Sequence, residues 1–213
     1  MIDLYTWTTP NGRKVSILLE ELGVPYTVKS INITKDEQFA PDFLKISPNN
    51  RIPAIVDHET GIEMMETGAI MLYLAQKYDR FQAKGDAYWQ MMEWLMWQMG
   101  GLGPMLGQVH HFVKYNQGKS AYAEERYSKE ARRLYKVLNT QLEGRDFVVG
   151  EGKGEYTIAD MAMWPWISRH DFQQIDLADF PNVQDWYRRL LERPAVQRGY
   201  HIPKKVNEIP GLE

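Results

Sequence analysis

Over residues 1–80, short strand-like runs of apolar residues take turns with short helical ones, and beyond them the pattern changes. Residues 2–6 read as a strand. Val15, Leu18, Leu19 and Leu22 recur at helical spacing and stop at Gly23, a residue type that readily ends a helix in the left-handed conformation. Residues 28–33 predict a second strand, and Phe43 and Leu44 mark a short helical piece. The run Ile52-Pro53-Ala54-Ile55-Val56 predicts a third strand, which residues 57–61 turn into a fourth at 62–65. From Thr67 the apolar positions Ala69, Ile70, Leu72, Tyr73 and Leu74 predict a helix to about Tyr78. The order βαβαββα is that of an α/β unit with a small mixed sheet.

Polar residues 80–86 predict a linker, after which strand signals nearly vanish. Residues 87–112 carry a long helical pattern rich in Trp and Met that Gly100, Gly101, Gly103 and Pro104 must bend or interrupt. Tyr127, Ala131, Leu134, Leu138 and Leu142 mark a further helix, and Val183, Trp186, Tyr187, Leu190 and Leu191 a late one. Between them, Thr157-Ile158-Ala159-Asp160 has the form of an N-terminal capping box. The expected organisation is an α/β domain over residues 1–80, an all-helical domain over 87–202 and an extended tail over 203–213.

Composition narrows the function. With 25 Lys and Arg against 28 Asp and Glu interleaved along 213 residues, the chain shows no electrostatic footprint for nucleic acid or an anionic membrane. A small-molecule or protein partner is expected instead. Cysteine is absent, which excludes a disulfide framework, a Cys zinc site, a protein thiol nucleophile and a CxxC redox pair, so any thiol chemistry must use a borrowed sulfur. The longest strongly apolar run, residues 69–75, is too short to cross a bilayer, and the N-terminal residues lack a basic region followed by an apolar stretch. A soluble, cytoplasmic protein is expected.

Several apparent motifs fail on inspection. Gly118-Lys119-Ser120 suggests a phosphate-binding loop, but Val113 stands where the first glycine is required and no strand precedes it. Gly101-Leu102-Gly103 has no following glycine at dinucleotide spacing. His110 and His111 are adjacent and would point different ways on a helix, so no metal site is expected. The tryptophan-rich stretch lacks basic interleaving and reads as core and subunit interface rather than a base-stacking platform.

An α/β unit of this order, Ile52-Pro53 entering a strand, Glu66-Thr67 opening the next helix and an all-helical remainder together resemble cytosolic glutathione transferases. More narrowly, Thr8-Thr9-Pro10-Asn11-Gly12, the stretch Ile46-Ser47-Pro48-Asn49-Asn50-Arg51-Ile52-Pro53-Ala54, and Gly100-Gly101-Leu102-Gly103-Pro104-Met105-Leu106-Gly107-Gln108 resemble the bacterial Nu class, whose members are glutathione-dependent disulfide-bond reductases. The resemblance covers nearly the whole chain and implies an N-terminal thioredoxin-like domain, a C-terminal helical domain, a homodimer, and glutathione, reduced or oxidised, as cosubstrate. Thr67 departs from the serine of many relatives but keeps the hydroxyl.

The candidate site follows from what such a ligand requires. A thiol of pKa ~8.5 is only a few per cent ionised at neutral pH, and lowering it by about two units, roughly 2.7 kcal/mol, makes the nucleophilic thiolate dominant. The turn Thr9-Pro10-Asn11-Gly12 leads into the first helix, whose N-terminal N–H groups favour an anion. Thr9 and Asn11 either cap that helix and nothing more or, as the resemblance implies, hold the thiolate and are the catalytic residues. Pro53 is either an ordinary strand-opening proline or a cis-proline that presents Ile52 for backbone pairing with the cysteinyl unit of glutathione. Glu66 and Thr67 are a helix start on pattern alone, while the resemblance gives them the γ-glutamyl ammonium and carboxylate. Gln38 is by default a solvated loop residue and Arg126 an exposed helical charge, and the resemblance brings both to glutathione. Tyr5 lies inside the first strand and is expected to pack. Three functions remain: reduction of a small-molecule or protein disulfide by bound glutathione, conjugation of glutathione to an electrophile, and non-catalytic, regulatory glutathione binding.

Overall fold

The computed structural model describes residues 1–211, which divide into two units. The first contains residues 1–80 together with residues 191–211, and the second residues 81–190. The expected boundary at residue 202 is therefore displaced: the last helix, Pro194–Tyr200, packs on the α/β unit instead of closing the helical domain.

In the first unit, β1 (Ile2–Thr6), β2 (Tyr26–Ser30), β3 (Ala54–Asp57) and β4 (Ile62–Met65) form one sheet in the order β2-β1-β3-β4. β1 runs parallel to β2 and antiparallel to β3, and β3 and β4 are antiparallel. The connecting helices are α1 (Pro10–Leu22), α2 (Pro41–Ile46) and α3 (Thr67–Lys77). The expected βαβαββα order is present. Helix α1 ends where the sequence predicts, with Gly23 in the left-handed region at φ 69° and its N–H donating to the Leu19 and Glu20 carbonyls. The second strand starts two residues before the expected 28–33 and ends three before it. Its pairing runs from Ile2 opposite Tyr26 to Thr6 opposite Ser30, so the end of β1 leaves residues 31–33 no ladder to join. The third strand opens at Ala54 rather than Ile52, since Pro53 has no N–H to give a ladder.

The last helix lies against α1 through a close backbone approach. Ser16 Oγ donates to the Gly199 carbonyl at 2.7 Å, and a Cβ on Gly199 would fall 2.6 Å from Ile17 Cα. Arg13, itself buried, donates from Nε to the Tyr200 carbonyl at 3.1 Å and stacks its guanidinium on the Tyr200 ring. The expected tail is tied down as well: Asn207 Oδ1 accepts from Arg13, and Ile209 is buried.

The second unit is helical, with α4 (Asp86–Trp97), α5 (Gly103–Val109), α6 (Ala121–Gln141), α7 (Ile158–Ile167) and α8 (Pro181–Leu191). The long pattern at 87–112 is interrupted as expected, by a π turn over Gln98–Leu102 followed by a second over His110–Tyr115. Pro104 cannot return the i→i−4 hydrogen bond, and widening of the preceding turn accommodates the loss. Helix α7 is buried on every side. Its capping box is formed: the Thr157 N–H donates to Asp160 Oδ2 at 3.1 Å, and Asp160 Oδ1 accepts from Val148 N and Trp186 Nε1. Among the described residues no helix is long and apolar enough to cross a membrane.

Candidate active site

Three loops of the first unit converge where β1 ends, β3 begins and β4 ends. In the first, β1 ends at Thr6 and Thr9 caps α1 in extended conformation, its Oγ1 accepting from Gly12 N at 3.2 Å while Pro10 takes the first helical position. The capping reading of Thr9 is thus present in the structure, and it leaves a thiolate role open. An oxygen that accepts a cap bond still carries a hydroxyl proton to donate elsewhere. In the second loop, Ser47 to Asn50 forms a turn closed by Asn50 N to Ser47 O at 2.9 Å, with Asn50 at φ 50°. Ser47 Oγ donates to the Arg51 carbonyl at 2.8 Å and so fixes the approach to Ile52. The Ile52–Pro53 bond is cis, and the ladders to β1 and β4 begin at Ala54, which leaves Ile52 outside the pairing of the sheet. In the third, Glu66 joins β4 to α3 at φ 72°, a backbone region that costs a side-chain-bearing residue roughly 1–3 kcal/mol.

Between these loops lies a cleft of about 240 Å³ lined by Asn11, Ile52, Pro53, Glu66 and Thr67, together with Ser47, Arg51 and Met65. Five of the eight expected site residues therefore meet in one cavity. Thr9 sits two positions before Asn11 and does not line it. Gln38 lies in a 3-10 turn, Glu37–Phe39, outside the cleft lining, with a buried Oε1 that has no hydrogen-bond partner and an Nε2 donating to Asp36 at 3.4 Å. Arg126 belongs to the second unit, exposed on α6, where it lines a separate cavity of about 520 Å³ with Met105, Tyr122 and Tyr127.

Ser47, Arg51 and Lys14 escape a reading by motif role. Ser47 and Arg51 fall within the quoted loop motif, yet only the turn geometry shows that their mutual hydrogen bond shapes the cleft. Lys14 lies outside every motif quoted. It sits on α1 behind the cleft, 1% exposed, with Nζ 3.5 Å from Thr67 Oγ1, and the one sequence signal is a lysine among the apolar positions of that helix. Tyr5 packs its ring 6.1 Å from that of Phe43, and burial, followed by the charges of Asp3 and Glu63, pushes its phenol up and away from ionisation. His110 is a core residue: burial, then the charge of Arg169, lowers its imidazole to about 4, and Nε2 lies 3.1 Å from Gln173 Nε2. The described residues contain no group of three or more His, Cys, Asp or Glu able to hold a metal.

A thioredoxin-like sheet with a capped helix start, a cis-proline loop and an acidic helix start around one cleft, followed by a helical unit, is the architecture of a glutathione-binding fold. Residues 1–76 match the family model for the glutathione S-transferase N-terminal domain, and residues 102–194 that for the C-terminal domain. The chain belongs to the glutathione S-transferase family. It is 47% identical over 203 residues to the disulfide-bond oxidoreductase YfcG of Escherichia coli, covering 92% of each chain. It is 40% identical to the disulfide-bond oxidoreductase YghU of the same organism, covering 93% of this chain and 73% of the relative. Among solved structures, a glutathione transferase of Burkholderia graminis with two glutathione molecules bound per subunit superposes with a TM-score of 0.88 at 38% identity, covering 96% of this chain and 89% of that one. One of Pseudomonas putida with a glutathione disulfide bound per subunit gives 0.87 at 39% identity, covering 95% and 91%.

Proposed function

We propose that this protein is a cytoplasmic, Nu-class glutathione-dependent disulfide-bond reductase whose reacting sulfur is that of bound glutathione. The observation that carries the reading is the meeting of Asn11, Ile52, Pro53, Glu66 and Thr67 around one cleft in a chain without cysteine. The names of YfcG and YghU support disulfide chemistry over conjugation.

In this reading Ile52 pairs through its N–H and C=O with the cysteinyl backbone of glutathione. The Glu66 carboxylate takes the γ-glutamyl ammonium, and the Thr67 hydroxyl with the α3 N-terminus takes the carboxylate. The thiol then lies at the start of α1, where the Thr9 hydroxyl and Asn11 amide donate to the thiolate and stabilise it without a general base. Gln38 and Arg126 hold the peptide's outer polar groups. The thiolate attacks one sulfur of the substrate disulfide, forming a mixed disulfide and releasing the other sulfur as a thiolate that picks up a proton. A second glutathione thiolate attacks the glutathione sulfur of that intermediate, yielding glutathione disulfide and the second substrate thiol. Two glutathiones are oxidised for each disulfide reduced. Since the chain supplies no sulfur, no protein mixed disulfide forms on it.

The same proposal includes a homodimer built on α4, which leaves Trp89 68% and Met96 48% exposed, more apolar surface than a solvent-facing helix carries. A monomeric mass by light scattering at micromolar protein overturns that part. The activity is tested by comparing glutathione-dependent reduction of hydroxyethyl disulfide with conjugation of chlorodinitrobenzene. Reduction is expected to dominate; conjugation exceeding reduction replaces the reading with a transferase, and binding without either reaction replaces it with a regulatory glutathione-binding protein.

A further inference from the structure

Trp7 stands on the loop between β1 and α1, and its carbonyl accepts from the Thr9 N–H at 2.8 Å. The indole therefore belongs to the same short turn as the cap proposed to hold the thiolate, yet it is not part of the cleft lining. Over its ring lies Lys204, with Nζ 4.7 Å from the ring centroid. The negative face of an indole attracts an ammonium, and this contact seats a stem that is otherwise flexible.

The segment that carries Lys204 is fixed on both sides. Before it, the Tyr200 carbonyl accepts from Arg13 Nε of α1 at 3.1 Å. After it, Asn207 accepts from Arg13 Nη2 at 3.3 Å and donates to the Tyr200 hydroxyl at 3.0 Å, and Ile209 is buried. The adjacent Lys205 is taken by Glu208 at 2.5 Å. Lys204 is exposed and makes no ion pair among the described residues, so its charge beside the α1 start is met by no carboxylate of the chain.

We propose that Lys204, seated on Trp7, is a specificity-determining residue for the disulfide substrate: it draws disulfides that carry a carboxylate to the start of α1. The inference rests on the disulfide-reductase reading of the cleft and adds to it the substrate class. With glutathione in the cleft, the incoming disulfide has to approach the sulfur at Thr9 and Asn11 from outside the cleft lining, and the Trp7–Lys204 pair borders that turn. From Trp7 to Thr9 the chain advances at most about 7 Å. A carboxylate a few bonds from its sulfur can thus meet the ammonium while the sulfur meets the thiolate, and the indole gives the stem between them an apolar face. An exposed ion pair of this kind is worth up to about a fivefold preference.

The test follows glutathione-dependent reduction of three short disulfides at pH 7 and low salt: dithiodipropionate, a dianion; hydroxyethyl disulfide, neutral; and cystamine, a dication. The readout is kcat/KM for each charged disulfide divided by that for the neutral one. Comparing this ratio between wild type and variant cancels the intrinsic reactivity of each disulfide and any change in thiolate activation. Lys204→Gln is expected to lower the dithiodipropionate ratio about three- to fivefold and to raise the cystamine ratio. Lys204→Glu should move both further, while Lys204→Arg keeps the wild-type values. The difference between wild type and Lys204→Gln should shrink at about 0.5 M NaCl, which screens exposed charges. Trp7→Phe, which keeps an aromatic face, should hold the dithiodipropionate ratio better than Trp7→Ala. Ratios that stay at wild-type values in Lys204→Gln and Lys204→Glu overturn the proposal, even if all three rates fall together, because Lys204 would then only brace the loop. A Trp7→Ala ratio equal to that of the wild type overturns the seat on the indole. No reduction of any of the three by the wild type overturns the disulfide-reductase reading itself.

Discussion

Gly12 is the position where a single methyl group tests whether the α1 start is the reacting centre. A Cβ built there falls 2.2 Å from the Trp7 carbonyl oxygen and 2.5 Å from Thr6 Oγ1. The hydroxyl can rotate, but the carbonyl is backbone, and relieving the contact requires a shift of about 1 Å to reach ordinary van der Waals distance. That carbonyl accepts from the Thr9 N–H at 2.8 Å, and Thr9 Oγ1 accepts from Gly12 N, so the shift is passed directly to the cap that carries the proposed thiolate donors. Overpacking of this kind costs about 1–3 kcal/mol of stability, while a displacement of about 1 Å in a reacting geometry costs roughly a hundredfold in rate. Gly12→Ala is therefore expected to fold, to unfold at lower urea than the wild type, and to reduce hydroxyethyl disulfide about a hundredfold more slowly. The loss should fall on kcat more than on the KM for glutathione, because the cis-proline loop and the α3 start still hold the peptide. A Gly12→Ala protein with wild-type kcat would show that the sulfur is activated away from this turn, and the assignment of Thr9 and Asn11 would fall with it.

Thr9→Ala and Asn11→Ala are each expected to slow disulfide reduction about ten- to a hundredfold, the loss of one hydrogen bond to a charged group, while Tyr5→Phe leaves the rate nearly unchanged; the reverse order in a steady-state reductase assay would place the thiolate elsewhere. Arg126→Ala is expected to raise the KM for glutathione about tenfold with little change in kcat, and an unchanged KM would remove Arg126 from the site. Asp57 is fully buried; burial alone would raise its carboxyl, but hydrogen bonds from Lys77, Tyr73 and the Glu59 amide hold it down to about 2, against 3.8 for a free aspartate. Because the folded-state value is depressed, its stabilisation is present above about 3.8 and lost as pH falls toward 2, some 2–3 kcal/mol in all. Urea unfolding from pH 5 to 2 is expected to show that loss in the wild type and less of it in Asp57→Asn, and parallel curves would refute it.

Elements that depend on a few neighbouring residues are legible along the chain. β1 at residues 2–6 and β4 at 62–65 are legible from their apolar runs, the end of α1 from Gly23, the start of α7 from Thr157 and Asp160, and the break after α4 from Gly100 to Pro104. Each signal acts within about one turn or one strand. The grouping of Asn11, Ile52, Pro53, Glu66 and Thr67 is carried by the resemblance of whole motifs, because no spacing along the chain reports that residues 11, 52 and 67 share a cleft. Other features depend on contacts between residues far apart in sequence. The register of β2 depends on where β1 stops, twenty residues earlier, and the allegiance of the last helix depends on Gly199 letting its backbone reach Ile17. For Lys14, helical periodicity shows a charge among apolar neighbours but not whether it reaches solvent or is buried. Its burial against Thr67 follows from the packing of α1 on α3, and the cost of desolvating an ammonium is set by what surrounds it in three dimensions.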